Sequence, residues 1–350
     1  MMYAGGRALR VVISSLVGVT TVLCACQPSG PQRASASQSV GSIERLDPAL
    51  DSLVAPDAQI EKLAEGFEWS EGPVWRKSGG YVLFSDVPRN TIYKWQQGAG
   101  LSVFLRPAGY TRPNPPGREL GSNGLTFDAN DSLVMADHGN RQIARVNEAK
   151  FTKTTLADRY DGKRLNSPND LVYASNGDLY FTDPPFGLFK LDADSAKELR
   201  HNGVYRLTPS GTLTLVTSEL GYPNGIALSP DEKTLYVANA DAEKPIVMAY
   251  SLPPESTAIR GRVFFDATPL VRAGRKGVPD GMKVDQRGNV FLTGPGGVLV
   301  LSPTGKHLGT IVTGQPTANC AFGDDGSMLY ITANDRLLRI RTRTKGLGFR

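Results

Sequence analysis

SPNDLVYASNGDLYFTDPPFG, residues 167–187, joins two unlike kinds of sequence. From Leu171 to Asp183 it reads as a hairpin: a short strand, a polar turn at Asn176-Gly177, and a second strand ending in Asp183. Directly before the hairpin stands Ser167-Pro168-Asn169-Asp170, a rigid turn that brings two oxygen-bearing side chains to the start of a buried strand. The same order of turn, short strand, polar turn and strand recurs along the chain. It is found in EGPVWRKSGGYVLFSD (71–86), SNGLTFDANDSLVMAD (122–137) and YPNGIALSPDEKTLYVAN (222–239). It returns in VPDGMKVDQRGNVFLTG (278–294) and PTANCAFGDDGSMLYIT (316–332). Further strands such as NTIYKW, RQIARV, GVYRL, IVMAYSL and GVLVLSP follow most of these units. A spacing of roughly 40–55 residues leaves room for about four strands per unit. Six such units predict an all-β fold, a six-bladed β-propeller. A pair of β-sandwiches would not repeat one turn chemistry six times. No sustained 3.6-residue apolar period appears after the N-terminal segment, so helices should be few and short.

Composition agrees. Of 350 residues, 40% are hydrophobic and 21% charged, and the 38 glycines and 24 prolines suit a turn-rich β protein. The net charge of +5 includes Arg7 and Arg10 of a leader expected to be removed. No Lys/Arg cluster interleaves with aromatics, so nucleic acid is not an expected partner, and RIRTRTKGLGFR reads as a last strand with outward charges.

The N-terminus reads as a targeting segment. Arg7 and Arg10 precede the apolar run VVISSLVGVTTVL, which is short for a membrane span. Leu23-Cys24-Ala25-Cys26 resembles a bacterial lipoprotein cleavage box. The expected organisation is a signal peptide over 1–25, lipidated Cys26 with a flexible tether over 26–50, and the propeller over 51–350. The lipid would hold the protein to a membrane without spanning it. Gln27 is not Asp, so in a two-membrane cell the outer membrane, facing the periplasm, is the expected location. A monomer is expected. Cys320 is then the one cysteine left in the propeller, which excludes an internal disulfide, and it reads as a buried inert thiol.

In a propeller the residues just before each innermost strand gather at one mouth of the central channel. Here they are Glu71, Asn123, Asn169 with Asp170, Asn224, Asp280, and Ala318-Asn319. Any one of these could be an ordinary turn residue. At one phase of the repeat, Glu71, Asn169, Asn224 and Asp280 predict a central divalent-metal site, with Asn123 lining the pocket. Hard oxygen donors without His or Cys favour Ca²⁺, with Mg²⁺ or Mn²⁺ next and Zn²⁺ least suited. Neighbouring prolines fix the loops and neighbouring glycines allow close backbone approach.

These motifs resemble the gluconolactonase and senescence-marker-protein (regucalcin-like) family of six-bladed lactonases. EGPVW, SNGLTFD, DHGNRQIARV, NSPNDLVYASNGDLYFTDPPFGL, YPNGIALSPDEKTLYVAN, PDGMKVDQRGNVF and NCAFGDDGSMLYIT carry the resemblance, over roughly residues 60–340. The SPND-to-TDPPFGL block is most similar to the bacterial gluconolactonase branch. The resemblance implies one divalent cation on Glu71, Asn224 and Asp280, with Asn169 touching metal or substrate, and Asp280 as the acid/base. The animal branch has an arginine where this chain has Ser167, and an acidic substrate contact near the position of Gly187.

The chemistry implied is hydrolysis of a sugar-type lactone, a cyclic ester whose carbonyl a divalent cation polarises. Asp280 would exchange the proton, and Asn123 and Asn169 would orient substrate. Asp170 reads as a substrate-binding candidate, a support for the site or a turn residue. His138, in DHGNR, could face the channel and touch substrate; His201 and His307 read as surface-turn residues. The Pro/Gly-rich insertion 106–121, with Arg112 and Arg118, should overlie the metal mouth as a rim or lid. No G-x-S-x-G motif is present, which argues against an acyl-enzyme. Two other readings use the same ring: an organophosphate, homoserine-lactone or other ester hydrolase, and a non-catalytic periplasmic binding propeller.

Overall fold

The computed structural model describes residues 39–115, 117–252 and 261–349. The signal peptide, Cys26 and most of the tether therefore lie outside the described residues. Six antiparallel sheets of four or five strands follow one another along the chain, with a small two-stranded sheet, Arg159–Tyr160 and Lys163–Arg164, beside them. Their innermost strands are Ser70–Arg76, Ser122–Phe127, Leu171–Tyr173, Pro223–Leu228, Met282–Val284 and Asn319–Gly323. Each packs on the innermost strand of the next sheet, and the last packs on the first. The ring therefore closes with six blades, as the repeat predicts. Among the described residues there is one α-helix, Thr268–Arg272, and no helix long and apolar enough to cross a membrane.

The second strand of every blade is buried on both faces. Tyr81–Asp86, Leu179–Asp183 and Val290–Gly294 contain no exposed residue. This is why they read as nearly continuous apolar runs: each face packs on a neighbouring blade. The core is accordingly six apolar layers, one between each pair of successive blades. Phe181 and Tyr205 of the third blade, for instance, pack on Val134 and Ile143 of the second. Cys320 is buried in the layer between the fifth and sixth blades, where burial pushes its thiol up to about 12. It is an inert core residue.

The N-terminal segment is more ordered than the sequence reading expects. Ile60–Glu65 is the outermost strand of the sixth blade, paired with Arg336–Arg341. Arg339 meets Glu61 at 2.8 Å across this seam, so the tail begins, as expected, inside a last paired strand. Ser42–Arg45 adds a fifth strand to the fifth blade, against His307–Val312. The tether expected over 26–50 thus ends by Ser42. Leu50 and Val54 are fully buried behind it, and Glu44 makes a two-pronged ion pair with Arg275 at 2.5 and 2.7 Å. Ser42–Arg45 carries a single isoleucine among polar residues, too weak a pattern to betray a strand.

At the axis, successive blades approach too closely for side chains. A Cβ on Gly72 would lie 2.1 Å from the Asn123 carbonyl oxygen, and one on Gly225 would lie 2.0 Å from that of Asp280. Those oxygens belong to the mouth residues of the next blade, so the glycines set the ring's diameter. Gly225→Ala is expected to cost about 1–3 kcal/mol through backbone displacement, measured by denaturant unfolding. An unchanged midpoint would show that the axis can expand.

Candidate active site

The mouth of the channel is built by two repeated contacts. The residue ending the second strand of a blade holds the loop that enters the first. Asp183 accepts hydrogen bonds from Asn166 N (2.7 Å) and Ser167 N (2.9 Å), and Asn239 accepts one from Tyr222 N (2.9 Å). Burial pushes the Asp183 carboxyl up to about 7, although the two N–H donors favour its charged form. The hydroxyl preceding this position in alternate blades reaches the next blade. Ser85 donates to the Asn123 carbonyl (2.8 Å), Thr182 to that of Asn224 (2.7 Å) and Thr293 to that of Ala318 (2.7 Å).

This scaffold brings Glu71, Asn123, Asn169, Asn224 and Asp280 together on the wall of one cavity of about 570 Å³. All five are residues that the sequence reading selects. Glu71 is buried, and its Oε2 accepts from Gly72 N at 2.8 Å. Two of the ring's oxygens, Asn123 Oδ1 and Asp280 Oδ1, are buried without a hydrogen-bond partner among the described residues. Such atoms are costly unless a ligand or ion satisfies them.

The electrostatics point the same way. Burial pushes the Glu71 carboxyl up to about 8, with the Gly72 N–H opposing and the Asp170 charge adding to the rise. Burial also drives Asp280 well above the usual carboxylate range, and the charges of Glu71 and Asp170 push it further. No described arginine forms an ion pair with any of the three. Nor do three His, Cys, Asp or Glu side chains converge on one point among the described residues. The donor set is two carboxylates supplemented by carboxamides. That composition suits a hard divalent cation, which would restore the ionised forms.

Asp170 is placed one level below the ring. Where four blades follow the mouth residue with glycine, the third and sixth have Asp170 and Asn319. These blades face each other across the axis, and Asn319 Nδ2 donates to Asp170 Oδ2 at 3.4 Å. Leu171 N holds the other Asp170 oxygen at 2.9 Å. Neither side chain lines the cavity of the ring; Asp170 lies behind it, and Asn319 also hydrogen-bonds the Glu71 carboxylate. Ser167 is a structural residue: its hydroxyl donates to Pro184 O (2.6 Å) and accepts from Gly187 N (2.9 Å), tying the turn to the PPFG loop.

His138 is buried behind the wall, and its Nδ1 lies 2.9 Å from Glu119 Oε2. Glu119 and Arg118, at the end of the 106–121 insertion, do line the cavity, with Trp69 and Phe186 as apolar neighbours. The insertion therefore forms part of the rim, as its position predicts, while Arg112 is exposed and stacks near Tyr110. The sequence reading overlooks Glu119, Trp69 and Phe186. A lone charge in a Pro/Gly-rich loop looks solvated, and nothing local marks it as docked.

Because Glu71 and Asp280 rise on folding, they favour the folded state while protonated. That contribution is lost as pH rises through their folded values. Chelator-treated protein is expected to lose thermal stability as pH rises from about 4.5, where Glu71 ionises in the unfolded chain, to about 8, where it ionises in the folded one. Added Ca²⁺ should flatten this slope and stabilise most at the alkaline end. A slope that no divalent cation changes would count against the ring as a cation site.

Comparison with known proteins agrees with this geometry. A gluconolactonase from Zymomonas mobilis is 41% identical over 350 residues, spanning 97% of this chain and 96% of its own. The solved structure of a gluconolactonase from Xanthomonas campestris is 31% identical, with a TM-score of 0.76, covering 91% of this chain and 99% of that one. A calcium-binding regucalcin from Agrobacterium tumefaciens shares the fold at 19% identity and a TM-score of 0.64, covering 81% of this chain and 94% of its own. The SMP-30/gluconolactonase/LRE-like region matches residues 69–335, from before the first innermost strand to the end of the sixth blade's second strand. This chain belongs to that SMP-30/gluconolactonase/LRE-like family.

Proposed function

We propose that the protein hydrolyses a sugar-type lactone at the channel mouth, with one divalent cation held by Glu71, Asn169, Asn224 and Asp280. The observation that carries the reading is the convergence of these oxygen donors on one cavity, two of whose oxygens are buried and unpartnered. Ca²⁺ is the favoured ion, on the hardness of the donors and the absence of His and Cys.

When bound, the cation supplies Lewis-acid polarisation of the ester carbonyl. The chain's own residues do the rest. Asp280 Oδ1 takes a proton from the attacking water and returns it to the ring oxygen as the acyl–oxygen bond breaks, giving a hydroxy acid. Asn169 directs its carboxamide N–H at the oxygen that gains charge. Asn123 Oδ1 is free to accept from a substrate hydroxyl. Trp69 and Phe186 supply apolar walls against which a ring can lie. Cys320 is too deeply buried to act as a nucleophile.

Glucono-1,5-lactone opening should vanish on chelation and return with Ca²⁺ or a neighbouring divalent ion. Asp280→Asn should lower kcat by about 10²–10⁴-fold. Retained turnover in the chelated enzyme would remove the cation from the reading. Turnover of a phosphotriester but no lactone would redirect it to another ester class. The same reading keeps the enzyme lipid-anchored through Cys26, outside the described residues, supported by the Leu23-Cys24-Ala25-Cys26 box. Cys26→Ser should move the protein from the membrane fraction to the soluble one. Unchanged fractionation would exclude that anchor.

A further inference from the structure

We infer that Glu119, oriented by His138, accepts a hydrogen bond from a ring hydroxyl of the substrate and sets a preference for hydroxylated lactones. The inference rests on the lactonase reading above and extends it to a residue outside the metal ring.

Glu119 belongs to the one long loop that reaches the cavity from the junction between the first two blades. A carboxylate on such a loop would ordinarily be mobile and solvated. This one is held. Its Oε2 meets His138 Nδ1 at 2.9 Å. An ionised carboxylate can only accept, so Nδ1 carries the proton of that bond. His138 directly follows the buried strand Leu133–Asp137, and its imidazole is itself buried, 1% exposed. Burying an imidazole for a single described hydrogen bond makes sense if that bond fixes a side chain whose position matters. The loop is docked as well. Gly117 lies so close to the Gly187 carbonyl that a Cβ would meet its oxygen at 1.6 Å, and Arg118 Nε donates to Phe186 O at 3.4 Å.

With Oε2 occupied, Oε1 remains for the cavity, with the exposed Arg118 Nε 3.8 Å away. A fixed carboxylate oxygen on a cavity wall selects a hydrogen-bond donor. A sugar-type lactone seated over the metal ring offers donors only as its hydroxyl substituents. The ester carbonyl and ring oxygen, which every lactone has, can only accept. Glu119 therefore distinguishes lactones by what decorates the ring rather than by the bond that is cleaved. A bare ring would leave Oε1 without that hydrogen bond, and a pocket built to bond a hydroxyl discriminates against a ring that lacks it.

The test is the ratio of kcat/KM for glucono-1,5-lactone to that for unsubstituted δ-valerolactone. The two share a six-membered ring and differ in hydroxyls. The ratio does not depend on the fraction of enzyme correctly folded. In Glu119→Ala and Glu119→Gln it is expected to fall at least about tenfold, mostly through KM for the hydroxylated ring. His138→Ala should lower it by less, and His138→Asn, whose carboxamide N–H can replace Nδ1–H, should restore part of the loss. An unmoved ratio in the Glu119 variants would overturn the assignment while leaving the lactonase intact. Wild-type enzyme that opens neither lactone would instead overturn the functional reading, and this inference with it.

Discussion

At the propeller axis a backbone carbonyl occupies the place where a neighbouring side chain would begin. Gly72 meets the Asn123 carbonyl and Gly225 that of Asp280, each without room for a Cβ. Everything at the mouth depends on this spacing. It draws the preceding residues inward until Glu71, Asn123, Asn169, Asn224 and Asp280 share one cavity. Where the glycine is missing, in the third and sixth blades, the side chains that replace it meet across the channel. One packing rule and its two exceptions thus produce both the ring of donors and the contact that spans the axis.

The same convergence creates an electrostatic debt. Glu71 and Asp280 are held away from water, and the charge of Asp170 raises the cost of ionising both. Hydrogen bonds from the backbone and from Asn224 offset part of that cost. The remainder favours protonation or a cation. A family of enzymes that must polarise an ester has reason to keep this strain, because a site fully satisfied by its own protein would have no affinity left for an ion or a substrate.

Much of this was legible in the sequence because the repeat is regular. Turn chemistry at one phase, six times over, locates both the inner strands and the residues before them, so Glu71 and Asp280 could be paired across more than 200 residues of chain. What escaped detection lacks that periodic support. Ser42–Arg45 has one apolar residue and is held by packing behind it and by the Glu44–Arg275 pair, neither visible locally. Glu119 sits in an insertion that no other blade has, so no phase argument reaches it. His138 was visible, but its role depends on a partner 19 residues away that docks only after the loop has folded. Asp170 looked like its neighbour Asn169, yet in the turn before the strand one lines the cavity while the other meets Asn319 across the axis.

The seam in the sixth blade carries a kinetic consequence. Ile60–Glu65 pairs with Arg336–Arg341, and the Arg339–Glu61 contact spans 278 positions. Contacts of such separation are the slowest kind to form, because the entropy of closing a large loop precedes any reward. The first blade, which bears Glu71, abuts this last-closing blade through the layer of Val82, Phe84, Tyr330 and Leu337. The inner four strands of each of the five other blades can form from local hairpins as the chain emerges, while Ser42–Arg45 must wait for the fifth blade to join it. The circle itself waits for both ends, and so the oxygen ring is among the last parts of the molecule to reach its working geometry.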